Sequence, residues 1–185
     1  MTALLLGLLV ALVLFWAVGA HNRLMRLKGA VRDQWLLIDA AWIKLVAPLQ
    51  GSLSAHLGAL PPGPLHGRAE LLGAACDELI DALTQARQRP LESAVMHRVL
   101  VARAQLVHLM HQALGEDTPA AWPELVGLQL RMWQRLPALV GQYHDAWQLY
   151  HEAIAAWPAR WLARRVGLGP IERLDDMVAG LELTP

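Results

Sequence analysis

From Ala3 to Ala20 the chain carries no charged or strongly polar side chain. A helix rises ~1.5 Å per residue, so this run covers roughly 27 Å, close to the ~30 Å hydrocarbon core of a bilayer. Phe15 and Trp16 lie near its C-terminal end, where amphipathic rings suit the headgroup level. Basic residues follow at once: Arg23, Arg26, Lys28 and Arg32, with no acid before Asp33. Only Met1 and Thr2 precede the run. Positive charge resists translocation and attracts anionic inner-leaflet lipid, so the Arg-rich flank is expected inside. The expected topology is a single pass at the bacterial inner membrane, N-terminus out, bulk of the chain cytoplasmic.

A cleaved signal peptide is the competing interpretation, with Val18-Gly19-Ala20 as a small-residue cleavage site; an exported soluble helical domain would result. Against it, the run lacks a basic n-region, exceeds a typical h-region in length, and has its charges on the wrong flank.

Beyond the anchor, apolar residues recur at helical spacing throughout. Leu24, Leu27, Val31, Trp35, Ile38, Trp42, Leu45 and Leu49 draw one stripe. No turn signal separates it from the anchor, so one continuous helix is expected, kinked or interrupted at Pro48. Gly58 to Pro64 is the strongest break. A second helix is expected from about Arg68 to Gln88, its inner face carrying Leu72, Ala75, Leu79, Leu83 and Ala86. A third uses Val95, Val99, Ala102, Leu106, Leu109 and Ala113 and stops at Gly115. Asp117-Thr118-Pro119 makes the next connection, and Trp122-Pro123-Glu124 reads as a helix start.

The last helix has the clearest pattern. Leu136, Val140, Tyr143, Trp147, Tyr150, Ile154, Trp157 and Trp161 alternate steps of four and three, which keeps one seam facing a neighbour. Pro137 and Pro158 are expected to bend it. After Gly167 a tail of one or two weak helical turns is expected. The fold class is all-α: an antiparallel up-and-down bundle of three to four helices, the first continuous with the transmembrane helix. The expected division is anchor 1–22, helical domain 23–166 and tail 167–185.

Several of these residues resemble the LemA family of bacterial membrane proteins, as in a divergent member. Asn22 lies in a juxtamembrane His-Asn-Arg-Leu-Met-Arg-Leu stretch similar to the family's opening. Trp35, Ile38 and Asp39 follow at the spacing of its Trp-x-x-Ile-Asp. Trp122-Pro123-Glu124-Leu125 is similar to its Tyr-Pro-Asp-Leu. Tyr143-His144, Trp147, Tyr150-His151, Ile154 and Trp157-Pro158 resemble its doubled Tyr-Asn pattern ending in Phe-Pro, with histidine where the family has asparagine. The resemblance implies one N-terminal membrane helix and an elongated cytoplasmic helical domain. It brings no catalytic chemistry with it.

Function classes narrow from here. Lys plus Arg and Asp plus Glu balance at 16 each, so no global basic field recruits nucleic acid. The single cysteine, Cys76, precludes an intramolecular disulfide, and its acidic neighbours Asp77 and Glu78 disfavour a reactive thiolate. No phosphate-binding glycine loop, nucleophile elbow or His-Glu-x-x-His occurs. His97, His108 and His111 share a side of the third helix, and His144 or His151 could face them. They are candidate zinc or copper ligands, yet no carboxylate or cysteine pair stands at ligand spacing beside them. No cofactor is expected. Trp157, Arg160, Trp161, Arg164 and Arg165 form a second candidate cluster. Arginine beside tryptophan suits lipid headgroups or a partner protein, and equally suits favourable charge at a helix C-terminus. The reading is a membrane-tethered, non-catalytic interaction or scaffold protein, with an unidentified membrane or cytoplasmic partner or a second copy of itself.

Overall fold

The computed structural model describes residues 1–58, 61–116, 123–171 and 173–174. Five helices account for the secondary structure, and no strand occurs among these residues: α1 (Thr2–Leu57), α2 (Pro64–Gln88), α3 (Ser93–Glu116), α4 (Pro123–Ala155) and α5 (Ala159–Val166). The connection at Asp117-Thr118-Pro119, Trp122 and the tail beyond Leu174 lie outside the described residues.

Helix α1 has two halves of opposite character. Leu4, Leu5, Leu6, Leu8, Leu9, Leu12, Leu14 and Phe15 are all exposed, and no apolar residue of this stretch is buried against the rest of the chain. It is one helix long and apolar enough to cross a membrane. From Leu24 onward the same helix sinks into the core: Leu24, Val31, Trp35, Ile38, Trp42, Leu45, Val46, Leu49 and Leu53 are buried, and Leu27 is half-buried. Full burial of one such large side chain contributes ~1.5–3 kcal/mol.

Pro48 neither kinks α1 apart nor ends it; the helix continues to Leu57. The expected interruption is absent because Pro48 sits on the solvent side, while Leu45, Val46, Leu49 and Leu53 are buried on either side of it. One backbone hydrogen bond is lost, and burial on the opposite face outweighs it.

Helix α1 packs most extensively on α4, and also on α2, which in turn packs on α3. Leu72, Ala75, Cys76, Leu79, Ala82, Leu83 and Ala86 make the inner face of α2, starting one turn earlier than expected at Pro64, where proline is tolerated. On α3 the inner face is Met96, Val99, Ala102, Leu106, Val107, Met110 and Ala113. Arg98 on α3 donates to Glu78 on α2 at 2.8 Å and to Gln85 at 2.8 Å, clamping the pair at its edge.

The seam of the fourth helix is divided. Leu136, Val140, Tyr143 and Tyr150 are buried, and Trp147 and Ile154 are half-buried. The helix then stops at Ala155 and resumes as α5, so the expected single run to Trp161 is two helices, and the total is five rather than three or four. Proline at 158 lacks the N–H and its ring would clash one turn back, and the residue before it is pushed out of the helical region. The Trp157–Pro158 peptide bond is cis.

The start of the tail is not helical either. Gly167 closes α5 in the left-handed conformation (φ 72), and the Leu168 N–H reaches the Ala163 carbonyl at 2.9 Å. The described residues from there to Leu174 form an irregular strap whose Leu168, Ile171 and Leu174 are buried. Two indole and phenol handles on α4 hold it: Trp147 Nε1 donates to the Ile171 carbonyl at 2.8 Å, and Tyr150 Oη donates to the Gly169 carbonyl at 2.9 Å. Backbone bonded this way, with Pro170 in the middle, has no need of helix.

Candidate functional site

The most distinctive surface lies where the apolar half of α1 meets the folded half. A small apolar cluster of Leu24 (α1), Ala153 (α4), Ala163 (α5) and Leu168 (strap) pins α5 beside the first turns after the anchor. Small residues at 153 and 163 let the helices approach closely there. This contact turns the rest of α5 outward. Trp157 and Trp161 are 83% and 67% exposed, although tryptophan is ordinarily among the most buried residues on average. Arg160, Arg164 and Arg165 are exposed around them, and the Arg165 guanidinium sits 5.1 Å from the Trp161 ring centroid.

Between the exit of the anchor and the α4–α5 elbow lies a half-open cleft of about 550 Å³. Trp16, Gly19, Ala20 and Leu24 form one wall; Leu149, Ala153, Ala156 and Trp157 form the other. Its charged side chains are Arg23 and Glu152. Glu152 accepts a hydrogen bond from Gln148 at 2.9 Å. Among the described residues Arg23, Arg160 and Arg164 have no ion-pair partner.

The remaining basic flank is spread around α1. Asn22, Arg26 and Arg32 are exposed and Lys28 is half-buried. Thus Arg23 lines the cleft, while Arg26, Lys28 and Arg32 do not.

Of the motif residues, Trp35 and Ile38 are core. Asp39 is 3% exposed and accepts a charge-assisted hydrogen bond from Arg87 Nε at 2.6 Å. Tyr143 and Tyr150 are fully buried, and burial pushes the Tyr150 phenol above its ordinary range. Trp147 is sandwiched: His151 stacks on it at 4.0 Å between centroids, and the Arg173 guanidinium lies 5.4 Å away. His151 also has Nδ1 3.1 Å from the Trp147 carbonyl.

His97, His108 and His111 are all exposed on α3. His144 and His151 are on α4, where their rings contact Tyr143, Trp147 and Tyr150. No group of three or more His, Cys, Asp or Glu side chains is gathered at metal-binding distance among the described residues.

Three features were not singled out from sequence. Arg103 is 3% exposed on α3, on the same apolar row as Val99, Val107 and Met110; a lone arginine on that row was the available signal. The strap was hidden because Leu168, Ile171 and Leu174 recur every third residue, a spacing that suits a weak helical turn as well as an irregular segment. The cleft has no sequence signature, since its walls lie more than a hundred residues apart in the chain.

No protein family, curated protein or solved structure matches the chain. The resemblance to the LemA family therefore rests on the motifs alone.

Proposed function

We propose that the chain is a membrane-anchored, non-catalytic interaction protein of the bacterial inner membrane, a divergent LemA-like protein. It crosses once, N-terminus out, and carries its up-and-down helical domain on the cytoplasmic side. The observation that carries this proposal is the contrast within α1: one unbroken helix is wholly exposed and apolar before Ala20, and buried along one face after Leu24. An exposed apolar surface of that size is costly in water and at home in lipid. The basic residues on the C-terminal flank of the run, and the lack of any before it, favour an anchor over a cleaved leader. Exposed Arg23, Arg26 and Arg32 then support the cytoplasmic placement. The absence of a catalytic motif in the sequence favours a scaffold role, with a membrane or cytoplasmic protein or a second copy as partner.

The test is proximity labelling in living cells with the labelling enzyme fused after Pro185. A labelled set of cytoplasmic and inner-membrane proteins is expected, with the most enriched as partners. A periplasmic set overturns the orientation, and a mature N-terminus at His21 overturns the anchor.

A further inference from the structure

We infer that the cleft between the anchor's exit and the α4–α5 elbow is a binding site for one anionic phospholipid of the adjoining leaflet. The inference rests on the proposed anchor and goes beyond it, because it assigns a ligand to a defined place.

Position comes first. Trp16, Gly19 and Ala20, which form one wall, belong to the last turns of the apolar run, so the cleft opens at the depth where hydrocarbon gives way to headgroups. A volume of about 550 Å³ lies within the ~300–1,000 Å³ of small-molecule sites. Its lining is mainly apolar, from Leu24, Leu149 and Ala156 among others, which suits an acyl chain and gives a soluble metabolite little to bond.

Charge decides the class of lipid. Arg23 lines the cleft, and Arg160, Arg164 and Arg165 stand on the helix that continues from its elbow. Arg23, Arg160 and Arg164 have no ion-pair partner among the described residues, so their guanidiniums are open to phosphate, which arginine binds bidentately. Glu152 is the one acid in the lining and Arg23 the one base; Arg160, Arg164 and Arg165, exposed on the helix that begins at the cleft's edge, make the surroundings net positive. The exposed faces of Trp157 and Trp161 add the amphipathic rings that settle at headgroup level. The acyl chain lies against the α1–α4 walls, and Arg23 with the α5 arginines takes the phosphate and its negative charge. α5 is then a foot resting on the bilayer, and the bound lipid fills the gap between foot and anchor.

The experiment uses the full chain in nanodiscs of phosphatidylcholine containing a minor fraction of phosphatidylglycerol with a photoreactive acyl chain. Irradiation and peptide mapping locate the lipid, and native mass spectrometry after extraction counts what is retained. One phosphatidylglycerol per chain is expected, with cross-links on residues 149–159. Ala156→Trp, an exposed wall position, fills the cleft and abolishes retention. Arg23→Ala lowers the preference for phosphatidylglycerol over phosphatidylcholine about tenfold, the scale of one charge-assisted hydrogen bond. Arg32→Ala, away from the cleft, leaves retention unchanged. Unchanged melting and nanodisc co-elution show that each variant folds and is anchored.

Full retention by Ala156→Trp, cross-links confined to residues 3–18, or equal retention of phosphatidylcholine overturns the inference. So does a native mass of two chains with no retained lipid, which would make a second copy the occupant. A chain that fails to co-elute with nanodiscs overturns the anchor itself, and the lipid site with it; an anchored chain that retains no lipid overturns the lipid site alone.

Discussion

Arg87 on α2 donates through Nε to a carboxylate oxygen of Asp39 on α1 at 2.6 Å, and the aspartate side chain is 4% exposed against 45% for the arginine. Between these two helices the core is otherwise aliphatic and indole, so this pair fixes their register by charge. The other carboxylate oxygen of Asp39 has no hydrogen-bond partner among the described residues, which leaves the guanidinium as the main compensation for burying the charge. Arg87→Ala is expected to destabilise the folded domain by about 2 kcal/mol, below the full cost of orphaning a buried ion because Arg87 is half in solvent. Adding Asp39→Asn to that variant removes the orphaned charge and should recover much of the loss. Thermal melts of these two variants and of Asp39→Asn alone, in detergent, check this; additive losses would mean the pair is not coupled.

The strap depends on two side-chain donors. Tyr150→Phe removes the hydrogen bond to the Gly169 carbonyl and should cost about 1 kcal/mol. Trp147→Phe removes the bond to Ile171 and replaces the indole under Arg173 with a smaller, weaker cation-π partner, and should cost somewhat more. The specific sign is local: limited proteolysis should cut near Gly167–Ile171 in both variants before the rest of the domain opens. Cleavage elsewhere first would show that the strap is not the weakest segment.

Cys76 should be chemically silent in the folded chain. It is fully buried, and burial, reinforced by the Asp77 charge, pushes its thiol from 9.0 up to about 12. A maleimide at pH 8 should label it only after unfolding. Because the folded pKa lies above the unfolded one, the unfolded state releases its proton first as pH rises. The stability this group contributes is complete below pH about 9 and is lost between about 9 and about 12. Melting temperature against pH should therefore fall less steeply over that window in Cys76→Ala, with the part due to buried Tyr150 remaining.

Pro48 leaves the Lys44 carbonyl without its in-helix donor, and its ring faces solvent. Pro48→Ala should then stabilise by about 1 kcal/mol, raising the melting temperature by roughly 3 °C for a chain of this size. A fall instead would show that the proline ring contributes more to the folded state than its missing hydrogen bond costs.

Much of the core was legible because a helix reports its buried face by period. Val31, Trp35, Ile38, Trp42, Leu45 and Leu49 are buried on α1 along the row their spacing draws. Trp157 and Trp161 obey the same arithmetic as Tyr150, yet both are exposed, because the helix ends before them and the period no longer maps onto one face. A spacing rule holds only while the helix does. The histidines show the converse: among the described residues they gather into no group of three or more with other metal-binding side chains, and no spacing along either helix carries that information.

What the sequence by itself determined is local: an apolar run long enough to span, a basic flank after it, helices wherever a 3.6-residue period persists, and a break at Gly58–Pro64. These follow from hydrophobicity, charge and backbone geometry within a few turns of chain. Only the tertiary structure decided that α1 continues through Pro48, that Gly167–Ile171 folds back as a strap, and that Arg23 meets the α4–α5 elbow across a cleft. Each of these is a balance between a local backbone preference and burial against residues distant in sequence. Such a balance exists only once the helices have packed.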